Sequence, residues 1–102
     1  MSSFEITAEE RAEIARQVGR MNILSISGGR VGSLPDGIEL PVSNGYRVRV
    51  RLTPADDYTV ERVFVRAGKV TPHGTRDRVY VDTVAETAYR AGMFRSFTDE
   101  EW

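Results

Sequence analysis

The 102 residues are 40% apolar and 28% charged, with a formal net charge of −1, the balance of one ordinary soluble domain. This composition excludes a wholly disordered, collagen-like or low-complexity chain. Near-neutrality also argues against a dedicated non-specific binder of nucleic acid or of membrane surfaces, which carries a basic excess.

There is no cysteine, which removes disulfides, zinc ribbons, iron–sulfur clusters and thiol nucleophiles. No apolar run reaches membrane-spanning length, and Met1-Ser2-Ser3-Phe4-Glu5 lacks the basic and apolar regions of a signal peptide. A cytoplasmic location and no membrane contact are therefore expected. Thirteen of the fourteen basic residues are arginine, Lys69 being the exception. Arginine offers planar, multi-donor contacts that lysine does not, though a GC-rich genome produces the same bias.

The first predicted element is a helix over about residues 8–20. Thr7 and Glu10 match a capping box, and Ile14, Ala15, Val18 and Met21 recur at helical spacing. Glu13 and Arg16 compensate each other three residues apart. Asn22 to Ser27 reads as a short apolar strand, and Gly28 to Ser33 as a mobile glycine-rich loop. Ile38 to Val42 follows as a strand that Pro41 demotes to an edge or an extended arm. Asn44-Gly45 is the strongest local signal, because both residues tolerate the positive φ of a type I′ hairpin turn.

Tyr46 to Leu52 alternates without a fault, directing Tyr46, Val48, Val50 and Leu52 to the core and Arg47, Arg49 and Arg51 outward. Thr53 to Asp57 is a turn cluster and Tyr58 to Arg66 the next strand. A register that opposes Leu52 to Tyr58 also opposes Tyr46 to Phe64, Val50 to Val60 and Arg49 to Glu61. Arg49 and Glu61 then form a cross-strand charge pair. The same register places Arg62 on the core side, a conflict that a bulge near Glu61–Arg62 relieves. Val70–Thr71 is a short strand, Pro72 to Arg76 a polar loop, and Arg78 to Val81 a last strand.

Thr83 and Glu86 repeat the capping-box pattern and open a second helix, with Val84, Ala85, Ala88, Tyr89 and Met93 on its buried face. The acidic stretch 96–102 reads as a loosely held tail. With no repeat or linker, residues 1–102 form one α+β domain. It is expected to hold an antiparallel sheet of about four or five strands, with an N-terminal and a C-terminal helix packed on one face.

Candidate chemistry is sparse. The glycine-rich segment lacks the Gly-Lys-Ser/Thr ending of a phosphate loop, and Leu34-Pro35-Asp36-Gly37 cannot open the helix such a loop needs. It is read as a flexible turn. His73 stands alone without metal-ligating companions and is placed in an exposed loop. Asp56-Asp57 beside Pro54 suits a turn better than paired acid–base carboxylates. The row Arg47, Arg49 and Arg51 is the one arrangement with a physical direction, since guanidinium groups on one sheet face suit phosphates or an acidic protein surface; the plainer reading is a solvated face partly neutralised by Glu61. Its face carries no aromatic stacking platform, which disfavours single-stranded nucleic acid.

Three stretches, Asn22 to Arg30, Leu40-Pro41-Val42 through Gly45-Tyr46 to Tyr58–Phe64, and Val79-Tyr80-Val81-Asp82 through Ala88-Tyr89, together resemble a family of small uncharacterised proteins encoded by bacteriophages of actinobacteria. The resemblance spans roughly residues 21–94 and implies a phage source and the host-cell cytoplasm. It brings no activity and no functional residue. The resulting expectation is a non-enzymatic phage accessory protein, without cofactor, that binds a host or phage protein. Nucleic-acid binding through Arg47, Arg49 and Arg51 is the alternative. The expected contact is the outer sheet face with the adjoining glycine loop, carried by Arg30, Arg47, Arg49 and Arg51, and the competing surface is the tail Phe94 to Trp102.

Overall fold

A computed structural model describes residues 5–93; the acidic stretch 96–102, with Phe94, Phe97 and Trp102, lies outside the described residues. Helices α1 (Ala8–Val18) and α2 (Arg20–Ser27) precede five strands, β1 (Gly32–Leu34), β2 (Gly37–Pro41), β3 (Tyr46–Leu52), β4 (Tyr58–Arg66) and β5 (Lys69–Val79), and helix α3 (Val84–Met93) follows. The strands form one antiparallel sheet in chain order, β1-β2-β3-β4-β5. All three helices contribute to a single core on one face, where Ile14, Val18, Ile23, Ile26, Val84, Ala88 and Ala91 meet Ile38, Leu40, Val48, Val50 and Val60. The fold is α+β, with five strands and one helix more than expected.

The capping box forms as read: the Thr7 backbone N–H donates to Glu10 Oε1 at 2.9 Å, and the Glu10 N–H to Thr7 Oγ1 at 3.1 Å. Arg16 pairs with Glu13. The helix ends two residues early because Gly19 adopts φ +98°, a conformation costly for residues with a Cβ. The break changes the phase of the apolar stripe, so Met21 is 71% exposed instead of buried.

The segment Asn22–Ser27 is helix, not strand. Short apolar runs fit either period. Here burial recurs three residues apart, at Ile23 and Ile26, while Leu24 is exposed. Asn22 Nδ2 donates to the Val18 carbonyl at 2.9 Å across the break. Gly28, in the left-handed region, closes the helix by donating its N–H to the Leu24 carbonyl. Of the expected mobile loop, Gly28 and Gly29 therefore close the helix, Gly32 and Ser33 open β1, and only Arg30 and Val31 lie between.

The central register is as read, with Tyr46 opposite Phe64, Arg49 opposite Glu61, Val50 opposite Val60 and Leu52 opposite Tyr58. Asn44 (φ 63°) and Gly45 (φ 87°) both take positive φ, and Tyr46 N–H closes the turn onto the Ser43 carbonyl. Strand β2 is interior rather than an edge. Its partner β1 pairs only as far as Glu39, so Pro41 lies where that side is open and its missing donor costs no bond to β1. The β1–β2 hairpin is tied to the first helix, since Arg11 Nε donates to the Leu34 carbonyl at 2.8 Å and Ile6 N–H to Pro35 O at 2.8 Å.

Residues 69–79, expected as two short strands around a loop, form one continuous edge strand. Its register against β4 slips twice, opposite Arg62 and opposite Thr59. The extra residues fall at His73–Gly74 and Asp77–Arg78, where Gly74 (φ 134°) and Arg78 (φ 55°) have positive φ. The expected bulge thus sits in the neighbouring strand, and Arg62 stays on the core side. Pro72 and two bulges blunt this long edge against pairing with another chain.

On α3 the buried residues are Val84, Thr87, Ala88, Ala91 and Gly92, while Tyr89 and Met93 are more than two-fifths exposed. The expected buried face was therefore rotated. Small residues face the sheet and α2, allowing close approach, and a Cβ at Gly92 would lie 3.0 Å from Ile26 Cγ1.

At Gly37 the strands approach even more tightly: a Cβ there would lie 2.0 Å from the Val50 carbonyl oxygen. Gly37→Ala must separate β2 from β3 and is expected to cost about 3 kcal/mol or more. Urea denaturation with an unchanged slope measures it, and a loss below about 1 kcal/mol would show that the strands yield there.

Candidate functional site

Alternation along β3 sets Arg47, Arg49 and Arg51 on the sheet face away from the helices, as expected. Of their acidic neighbours, Glu61 was expected and Glu39 and Asp36 were not. Glu39 of β2 lies directly opposite Arg49 and accepts from Arg47 Nη1 and from Arg49 Nε, each at 2.7 Å. Arg51 Nε donates to Glu61 Oε1 at 2.7 Å, and Arg51 Nη1 to Asp36 Oδ1 at 2.6 Å. Arg49 and Glu61 are opposed in register, yet their charges pair elsewhere. Arg49 is drawn to Glu39 and Glu61 reaches Arg51, so the expected cross-strand ion pair is replaced by two others.

Three guanidinium groups therefore face three carboxylates, and the row is half-buried rather than freely exposed. Arg49 and Glu39 side chains retain 17% and 14% of their accessible surface. Burial opposes ionisation of Glu39, but the hydrogen bonds and charges of Arg47 and Arg49 outweigh it and hold its carboxyl below the ordinary value of 4.5. Burial likewise opposes the Arg51 charge, and Glu61 and Asp36 overcome it, raising its pKa. A phosphate approaching this face meets donors already engaged and carboxylates that repel it.

The fourth candidate stands apart. Arg30 lies in the loop between α2 and β1, where its Nε donates to the Ser27 carbonyl at 3.3 Å. Its chain neighbours Gly29 and Val31 line a groove on the helix side with Ala15, Arg16, Arg20, Ile23 and Leu24, of about 520 Å³. Leu24 (54%) and Val31 (45%) are exposed there. The four arginines do not form one surface. The groove escaped sequence reading because residues 22–27 were assigned the wrong period: as a helix, Arg20 and Leu24 fall on one side, four residues apart.

A second cluster was also missed. Arg62, 5% exposed, donates from Nη1 to the Ala91 and Gly92 carbonyls at 2.7 and 3.3 Å, meeting the negative end of α3. Its guanidinium carbon lies 4.3 Å from the Tyr46 ring centroid, a cation–π distance. Tyr46 also packs against Phe64 and His73, with centroids 5.1 and 5.3 Å apart. His73 is thus a half-buried strand residue in an aromatic cluster, not an exposed loop residue. Asp56 and Asp57 do build the turn: Asp57 Oδ1 accepts from Thr53 Oγ1 at 2.5 Å, and Asp56 takes φ +66°.

Among the described residues no three His, Asp or Glu side chains could together hold a metal ion, and no helix is long and apolar enough to cross a membrane. No protein-family model, curated protein or solved structure matches the chain.

Depression of the Glu39 pKa stabilises the fold above the unfolded value, and the contribution is lost as pH falls through the folded value. Glu39→Gln is expected to cost about 1.5–3 kcal/mol at pH 7, a difference from wild type that shrinks below about pH 4.5. Denaturant titrations across that range test it; a difference constant down to about pH 3 would remove the ion pairs from the account.

Proposed function

We propose that this chain is a non-enzymatic bacteriophage accessory protein that acts by binding a protein of the phage or its host. The observation that carries the reading is the groove between the first two helices and the glycine loop. It sets exposed apolar surface beside arginine in a concave surface, and interface cores are richer than the rest of the surface in apolar area and in arginine. The scaffold around it is firm, since α1 is fastened to the β1–β2 turn by Arg11 and Ile6. A phage source rests on the sequence resemblance.

Nucleic-acid binding through the sheet arginines has less support, because Asp36, Glu39 and Glu61 occupy their donors. Affinity purification from an actinobacterial lysate, with mass spectrometry of what is retained, separates the two. Protein binding predicts specific proteins retained after nuclease treatment. Retention abolished by nuclease, together with a salt-dependent mobility shift weakened by Arg49→Glu, would transfer the function to nucleic acid. Nothing above a tag-only control would remove the reading.

A further inference from the structure

Within the protein-binding reading, on which this rests, we infer that the groove between α1, α2 and the glycine loop docks an acidic amphipathic helix of the partner. Ala15, Ile23, Leu24 and Val31 supply an apolar lining, and Met21 extends exposed apolar surface along the same helix. The volume of about 520 Å³ falls in the range of formed binding pockets, about 300–1,000 Å³. The groove is open, and an amphipathic helix laid in such a groove inserts side chains at positions i, i+3 or i+4, and i+7.

The charge around the lining selects the sign of the partner. Arg16 and Arg20 line the groove, and Arg30 follows Gly29 at its edge. Glu13 engages Arg16, but Arg20 makes no ion pair among the described residues, and Arg30 bonds to a neutral carbonyl. The Arg20 guanidinium, in the lining itself, is placed to take a carboxylate in bidentate fashion. The sheet arginines, by contrast, have carboxylates from their own fold. The uncompensated charge of this region lies beside its exposed apolar surface, and a partner must complement both.

The test uses the whole chain and a fluorescein-labelled peptide of about four helical turns, with leucines at i, i+4 and i+7 among glutamates. A second peptide carries lysine for every glutamate. Fluorescence anisotropy should show binding of the acidic peptide alone, weakening as salt rises. Arg20→Glu and Leu24→Asp should each weaken it at least about tenfold, and amide shifts should cluster in residues 15–31. Both side chains point to solvent, so circular dichroism should be unchanged. Equal binding of the lysine peptide, shifts centred on Arg47–Arg51, or no binding of either peptide overturns the inference. So does self-association in sedimentation that Leu24→Asp abolishes, which would make a second copy the occupant. The same variants go through the affinity purification. A protein retained equally by wild type and both variants overturns the groove assignment and leaves protein binding standing. Nothing retained by any of them removes both.

Discussion

Strand β2 passes β3 so closely at Gly37 that a side chain there would meet the Val50 carbonyl at 2.0 Å. That approach belongs to the register that sets Ile38 and Leu40 beside Val50 and Val48 on the helix face and Glu39 beside Arg49 on the other. One residue of slip would exchange the faces, sending Glu39 to the core and the aliphatics to solvent. Core and charge row are therefore two sides of one alignment. The Arg11 and Ile6 bonds to the β1–β2 turn carry the same alignment to the first helix, whose flank forms the groove.

Much of the sheet was legible because its signals are local and strong. Seven residues of strict alternation in β3, the Asn44-Gly45 turn and the Thr53–Asp57 cluster leave one sensible pairing for β3 and β4. The helix at 20–27 was not legible. Six residues with two isoleucines and a leucine satisfy both periods, and the choice is made by Asn22 reaching the Ala85 carbonyl and by the space Gly92 leaves for Ile26, which are tertiary facts. Continuity of β5 was hidden for a similar reason. Pro72, His73 and Gly74 read as a loop, and a strand absorbs them by bulging. The groove followed the fate of 20–27, while the arginine row was visible with Glu61 beside it, and Glu39 and Asp36 were missed because they lie on another strand and a turn.

The contrast between the two arginine groups follows from strand geometry. Residues on a sheet face are held about 5 Å from cross-strand neighbours, so each β3 arginine finds a carboxylate within reach, Arg49 taking Glu39 over the opposed Glu61. A short helix beside a loop imposes no such neighbours: among the described residues Arg20 has no ion pair, and Arg30 bonds to a neutral carbonyl. Arg62 is a third case. Held on the core side by register, it spends its charge on the carbonyl end of α3 and the face of Tyr46, which allows a buried cation to sit where an aliphatic would be expected.

Because each strand pairs with its neighbour in sequence, the sheet assembles by closing short loops, each with a small entropy loss. The helical layer is different: α1 and α3, drawn from the two ends of the described chain, pack against one another. Their meeting closes the longest loop in the fold and completes the core over Val48, Val50 and Val60. The sheet can thus form as a succession of hairpins, with one late, long-range event left to seal it. Any change that keeps α3 from docking therefore leaves Val48, Val50 and Val60 without part of their cover, even with every strand pairing intact.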